Sequence, residues 1–424
     1  MEDTNKVSSE WKEVRLGELC NVKGGKRLPK GEKLQSFPTS HPYIRIRDLN
    51  NSKNIEVDSS YEYITKNVHD KISRYITNEG DILISIVGTI GLIAKVGKSL
   101  DGANLTENCV KLIDLKEISV EFLYYFLTSC YGKNEIDKGI VGAVQAKLPI
   151  KNIKDISIKL PPLHEQEKIA SILKSLDDKI ELNNQMNQTL EEMAQTIFKE
   201  WFVEFNFLNE DGVPYKDNKG EMIESELGMI PEGWRVGKIH EIVDVNPRMI
   251  LKKGDIAKYA DMKALSETQS IISGVIERNF TGSGTKFINR DTLMARITPC
   301  LENGKTGFVN FLEDNEVAWG STEFNVLRSK KGIAKGFTYF LARNKDFRDY
   351  AIANMNGSSG RQRISGKILE LYKMPIPNEK IMNKFGEIIT SFMEQIKKNG
   401  EENQTLTNTR DILMPKLMSG EVRV

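Results

Sequence analysis

The chain has little of what would mark it as secreted, membrane-bound or metal-loaded. It holds four cysteines, at 20, 109, 130 and 300, and no two stand at CxxC spacing. Scattered thiols suit a reducing compartment and argue against a disulfide framework. The four histidines, at 41, 69, 164 and 240, pair with no cysteine at ligand spacing, which disfavours a zinc site. The longest apolar run, ILISIVGTIGLIA (82–94), is too short for a bilayer, and its β-branched residues suit strands. The start, MEDTNKVSSEWKEV, is polar and lacks the apolar core of a signal peptide, so a cytoplasmic protein with no membrane contact is expected. An excess of one charge is missing too. The 60 Lys and Arg against 59 Asp and Glu leave +1, so no global basic field announces a nucleic acid, although local basic faces stay open.

Recognisable catalytic loops are also lacking. GKS (97–99) and GKT (304–306) have Leu92 and Pro299 where a phosphate-binding loop needs its first glycine. GSG (282–284) lacks the third glycine of a dinucleotide turn. NPR (246–248) lacks the second proline and the aromatic of an amino-methyltransferase loop. No Ser/His/Asp or Cys/His grouping carries a local signature. The chain reads as a non-catalytic module.

What is present is a repeat. NQTL stands at 187–190 and again at 403–406, an offset of 216. At the same offset Ile169, Leu173, Leu176 and Ile180 map onto Phe385, Ile389, Phe392 and Ile396. Leu190 maps onto Leu406, Ile197 onto Leu413 and Trp201 onto Leu417. Steps of four and three are the a/d seam of a coiled coil. The polar interruptions Asn183 and Asn187 map onto Asn399 and Asn403, so the seam repeats its flaws as well as its apolar residues. Prolines in KLPPLHEQEK (159–168) and KMPIPNEK (373–380) open both rods. Neither amphipathic rod can bury its stripe alone. Antiparallel pairing over 165–202 and 379–414 is the expected solution, with asparagines fixing register at a cost in stability.

The segments before the rods are related too. EWKEVRLGELCNVKGGKRLPKG (10–31) resembles GWRVGKIHEIVDVNPRMILKKG (233–254), HPYIRIRDL (41–49) matches AKYADMKAL (257–265), and LTENCVKL (105–112) matches STEFNVLR (321–328). NEGDILISIVGTIG (78–91) resembles NRDTLMARITPCLENG (289–304). Short β-branched runs between Gly, Asn and Asp turns predict α+β globules, each with one aromatic helix, at 120–131 and 334–350. Residues 206–232 are polar and Gly-rich, and read as a connector. Two related globules on a paired-helix spacer suit a split target on a regular polymer such as DNA, read as two half-sites at fixed spacing.

PPLHEQEKIASILKSLDDKIELNNQMNQTLEEMAQTIFKEWFVEF, then GEMIESELGMIPEGWRV, then terminal RDILMPKLMSGEVRV, together resemble the specificity subunit of type I restriction–modification systems. That resemblance covers essentially the whole chain. It implies an α+β fold of two target recognition domains separated by two long antiparallel coiled-coil helices, a pseudo-two-fold internal repeat. The expected division is 1–160 target recognition domain 1, 161–205 conserved central helix, 206–232 connector, 233–376 target recognition domain 2 and 377–424 conserved C-terminal helix. The resemblance implies a non-catalytic subunit that recognises a bipartite asymmetric target in double-stranded DNA. It would direct adenine methylation or ATP-dependent cleavage by two methyltransferase (modification) subunits and two restriction/translocase subunits. No cofactor is expected in this chain, because S-adenosylmethionine, ATP and Mg would be bound by those partners. The alternatives are a coiled-coil scaffold without DNA contact, or a chain that itself modifies DNA, for which no NPPY-like loop or metal-carboxylate cluster is present.

Basic residues in Gly-rich turns can approach phosphates, and arginine can read guanine edges bidentately. The candidates for DNA contact in the first globule are Lys26 and Arg27 (KGGKRLPKG), Arg45 and Arg47 (YIRIRDL), and Gln145 and Lys147 (GAVQAKLP). In the second they are Arg248, Lys263, Arg296, and Arg361, Gln362 and Arg363 (GSSGRQRI). Lys147 aligns with Arg363. Met186, Met193 and Phe198, outside the a/d seam, are candidates for a methyltransferase-facing surface.

Overall fold

The β-branched run at 82–94 folds as two antiparallel strands, Ile82–Ser85 and Ile93–Val96, with Ile82 opposite Lys95. Gly88 and Gly91 supply the left-handed backbone (φ 74 and 83) that turns the chain between them. The structure, a computed structural model, describes residues 11–49, 53–208, 212–217, 220–358 and 360–424. The polar start through residue 10 therefore lies outside the described residues. Two units emerge, residues 1–179 with 405–424, and residues 180–404.

In the first unit, five strands lie in the order Asn21–Gly24, Cys109–Ile113, Ile82–Ser85, Ile93–Val96 and Asn54–Ile55. Lys12–Arg15 pairs antiparallel with Ser157–Leu160, and Tyr43–Ile44 runs parallel to Asn104–Leu105. Hydrophobic faces of the sheet pack on Phe122, Tyr125, Phe126 and Leu127, all buried.

The second unit repeats this plan. Val243–Val245, Phe324–Ser329, Thr292–Ala295 and Thr306–Phe308 form its central sheet, and Arg235–Lys238 pairs antiparallel with Lys373–Ile376. The parallel pairing recurs as Tyr259 beside Trp319. Its edges differ, because Ile276–Asn279 and Thr285–Phe287 flank Ile256–Ala260 and Ala318–Gly320.

The single aromatic helix expected in each globule is two helices. In the first unit Val120–Thr128 ends at Ser129, whose hydroxyl accepts from Gly132 N and caps Cys130–Gly139. In the second, Phe337–Arg343 ends at Asn344, whose side chain accepts from Asp346 N and Phe347 N to start Lys345–Ala353. Ser and Asn compete with the helix for backbone hydrogen bonds, so each stops one helix and starts another.

The rods are the helices Leu163–Phe202 and Glu379–Ser419. The second continues through Pro415, past the expected end at 414. Within the second unit the seam asparagines meet. Asn183 Nδ2 donates to Asn403 Oδ1 (2.9 Å), and Asn399 Nδ2 donates to Asn187 Oδ1 (2.8 Å). The partner number falls as the first rises, so the helices run antiparallel there. The crosswise pairing is what two copies of one helix adopt when packed head to tail. In the first unit Arg410 Nη1 reaches Asp177 Oδ1 (2.9 Å), the same sense of pairing.

Each helix also packs on a globule. Phe198, Phe202 and Phe385 join Phe337 and Trp234 in the second unit's core, while Ile169, Leu173 and Leu417 enter the first unit's core. The connector is more than a tether. Phe207 is buried and stacks on Trp234 (centroids 5.4 Å), and Met222–Ser225 pairs with Gly228–Pro231 as a hairpin.

Candidate nucleic-acid interface

In the first unit two loops are wired to one end of the central sheet. Gly25 N donates to Cys109 O (3.0 Å) and Lys26 N to Leu105 O (2.8 Å). A Cβ on Gly25 would stand 2.0 Å from Thr106 O, so only glycine lets the KGGKR loop press against the strand. On the other side, Val141 and Lys147 exchange two backbone hydrogen bonds (2.9 Å each) and close a small loop. Leu148 N then donates to Ile86 O (2.9 Å), and Ile86 N to Asn108 O (2.8 Å). Both loops are thus anchored around 105–109. Lys26, Arg27, Gln145 and Lys147 are exposed there.

The second unit has the same wiring with different side chains. Asn356 and Arg363 exchange two backbone hydrogen bonds (3.0 and 2.9 Å), Ile364 N donates to Arg296 O (2.9 Å), and Arg296 N to Glu323 O (3.0 Å). The alignment of Lys147 with Arg363 therefore matches their equal places in the loop. The companion loop begins at Asn246, held at φ 53. Its side chain bonds Asn325 Oδ1 and Val326 N (2.9 and 2.8 Å). Arg248 follows, exposed, and lines a hollow with Arg296, Lys286, Phe324 and Asn246. Arg296 Nε is buried without a hydrogen-bond partner. Lys286 was missed by sequence reading. Its place opposite Trp319 is known only once the strand register is known.

The remaining candidates separate by what they already hold. Arg361 and Lys263 are exposed, and Gln362 is half-buried with its carbonyl accepting from Thr298 N (3.1 Å). Arg363 gives Nε and Nη2 to Glu323 (2.9 and 2.7 Å), and Arg27 gives Nε to Glu107 (2.6 Å). Hydrogen bonding and charge from Arg363 hold the Glu323 carboxyl below its usual range. Burial pushes Glu107 up, but hydrogen bonds from Arg27, the backbone and Thr106, with the Arg27 charge, together outweigh it and the carboxyl is lowered. Arg45, half-buried, and Arg47, exposed, already hold acidic partners. Both pair with Glu62, while Arg45 N and Arg47 Nε bond Asp48 (2.7 and 3.2 Å). The pairs with Glu62, 15 or more residues away, leave no local trace in sequence.

On the first long helix, Leu182, Met186 and Met193 are exposed, at 50, 39 and 48 %. Phe198 is not part of that face. It is 1 % exposed, with its ring centroid 5.5 Å from that of Phe337 and 6.0 Å from that of Phe385. Among the described residues, no group of three or more His, Cys, Asp or Glu could hold a metal ion, and no helix is long and apolar enough to cross a membrane.

Two copies of one α+β unit, each with a basic loop pair at a sheet end and each followed by a long helix, invite comparison with known proteins. The family model of the type I restriction modification DNA specificity domain matches twice, over residues 8–192 and 231–408. The chain belongs to this family. It is a DNA sequence-recognition subunit of the type I restriction–modification class. The specificity subunit is similar to the MjaIX specificity subunit of Methanocaldococcus jannaschii, at 24% identity over 100% of this chain and 96% of that one. It is similar also to the HindI specificity subunit of Haemophilus influenzae, at 24% identity over 98% and 100%. A crystal structure of the type I system S subunit from M. genitalium shares the fold, with TM-score 0.53, 18% identity and 98% of each chain covered.

Proposed function

We propose that this subunit reads a bipartite, asymmetric target in double-stranded DNA, one half-site per unit. The observation that carries this reading is the repeated loop wiring with exchanged side chains. Lys147 stands where Arg363 stands, and Arg248 lies on the loop that corresponds to the Lys26–Arg27 loop. One scaffold with two sets of basic and amide groups suits two different half-sequences. The contacts proposed are Lys26, Arg27, Gln145 and Lys147 in the first unit, and Arg248, Lys263, Arg296, Arg361, Gln362 and Arg363 in the second, with Lys286 added. Arg45 and Arg47, like Arg27 and Arg363, hold carboxylates and would meet DNA by exchanging those ion pairs.

The chain supplies recognition rather than chemistry. Two methyltransferase subunits with S-adenosylmethionine, and two restriction subunits with ATP and Mg, would perform adenine methylation or cleavage in the cytoplasm. The exposed Leu182, Met186 and Met193 stripe is a fitting dock for a methyltransferase subunit. DNA binding is tested with the full chain and Lys147→Ala or Arg361→Ala. Each loss of a phosphate contact should flatten the plot of log K against log[salt] by about 0.9. Unchanged affinity and slope for both variants would remove these loops from the interface and favour the scaffold alternative.

A further inference from the structure

Glu107 and Glu323 occupy equal places in the two copies, 216 positions apart and each after a threonine. Each binds an arginine of the proposed DNA face, yet the two arginines come from different loops. In the first unit Arg27 belongs to the loop after the first sheet strand. In the second, Arg363 belongs to the loop before the last short helix, Gly366–Leu369. The carboxylate keeps its position while the source of its arginine changes. A leftover structural pair would keep both partners or neither.

The geometry of the second pair is close to saturation. Arg363 Nε lies 2.9 and 3.1 Å from the two Glu323 oxygens, and Nη2 lies 2.7 Å from Oε1. Nη1 donates to Arg361 O (3.1 Å). Neither hydrogen-bonding edge of the guanidinium is fully free, although the Arg363 side chain is 40% exposed. The pair is electrically neutral, so a phosphate gains little by approaching it and would face the carboxylate besides. A guanine offers two acceptors, O6 and N7, to one edge of the fork. It can replace the weak Nη1 bond to Arg361 O while the carboxylate keeps the Nε side.

Resting on the reading of these loops as DNA-facing, we propose that Glu323 is a positioning residue that withholds Arg363 from phosphates and releases it to base edges. Glu107 does so more loosely for Arg27, whose side chain is 81% exposed and bonded to it through Nε. Both glutamates suppress binding to irrelevant DNA and so sharpen discrimination in each half-site.

The test uses the full chain and a 30-base-pair duplex pool of random sequence, across a salt series. Glu323→Gln and Glu107→Gln should each tighten binding to the pool and steepen the salt slope by about 0.9, the gain of one phosphate contact. In the Arg363→Ala background Glu323→Gln should add nothing over Arg363→Ala alone, and likewise Glu107→Gln over Arg27→Ala. Glu323→Asp, which keeps the charge, should stay near the parent. Selection from the same pool should show relaxed preference in one half-site only, a different half for each glutamate. A glutamate that acted only through its own negative charge would also give a gain on change to glutamine, but that gain would persist in the arginine-to-alanine background, whereas a gate adds nothing there. If the arginine variants weaken binding while both glutamine variants leave it unchanged or weaken it, the gate is overturned and the DNA-facing reading survives. If the arginine and glutamine variants all leave binding unchanged, the DNA-facing reading itself has failed.

Discussion

Asn187 and Asn399 offer the sharpest test of how the two long helices meet. Both are nearly excluded from solvent, at 2 and 4 % exposure, and Asn399 Nδ2 donates to Asn187 Oδ1 at 2.8 Å. Asn187 Nδ2 is already buried without a partner. Changing Asn399 alone to Leu takes the donor from Asn187 Oδ1, leaving that amide wholly unsatisfied. A stranded buried polar group costs about 1–3 kcal/mol. Asn187→Leu likewise strands Asn399 Nδ2, although Asn399 Oδ1 keeps its bond from Gln395 Nε2 (2.8 Å) and makes that loss the milder one. Replacing both with Leu removes the polar pair and the orphan donor together. The double variant should match the parent or exceed it, giving a coupling of roughly 1–3 kcal/mol in a double-mutant cycle. Urea unfolding followed by circular dichroism reads this out, with midpoints compared at constant slope. Two single costs that simply add would mean that these amides do not touch, and the antiparallel register would be wrong. The stabilised double variant should also tolerate other registers, since a buried Asn in the seam specifies alignment.

Three other outcomes follow from particular side chains. Phe198→Ala should destabilise the second unit by about 3–5 kcal/mol, because the ring is buried among Phe337, Phe385 and Phe202. Met193→Ala, on the exposed face, should leave the melting temperature within a few degrees and weaken methyltransferase-subunit binding, measured by calorimetry. Asp48 is held up to about 6 from 3.8, chiefly by burial and against the pull of Arg47. Its folded-state pKa is raised, so its stabilising share is present in full below about 3.9 and is lost as pH rises through about 6. The loss is roughly 3 kcal/mol at most. Asp48→Asn, which keeps an acceptor for Arg45 N, should flatten the stability–pH curve between about pH 4 and 6, and an unchanged slope there would refute the assignment.

What could be read from sequence was what repeats. The offset of 216 carried the duplication, the a/d steps carried the helices, and the inability of either apolar stripe to bury itself carried their antiparallel meeting, with the asparagines marking the register. What could not be read depends on partners distant in sequence. Ser129 and Asn344 look like ordinary polar positions in an aromatic helix until their caps on Gly132, Asp346 and Phe347 are seen. Phe198 belongs to a hydrophobic stripe whose width no spacing rule defines, and only the globule packed against it decides which side is core. Phe207 sits in a polar connector, yet a single aromatic stack with Trp234 draws that segment into the core. For the candidate site, Gly-rich basic turns were visible, whereas the glutamates that pair with Arg27, Arg363, Arg45 and Arg47 lie 15 to 80 residues away. Charge pairing at such separations is set by strand register and leaves no pattern in the chain.

The central claim is that two separable copies each read one half of a DNA target. The most direct measurement exchanges residues 233–376 for those of a related specificity subunit with another target, in the presence of the methyltransferase partners. Modified adenines are then mapped across host DNA. One half of the methylated sequence should change while the other stays. A change in both halves, or in neither, would contradict it.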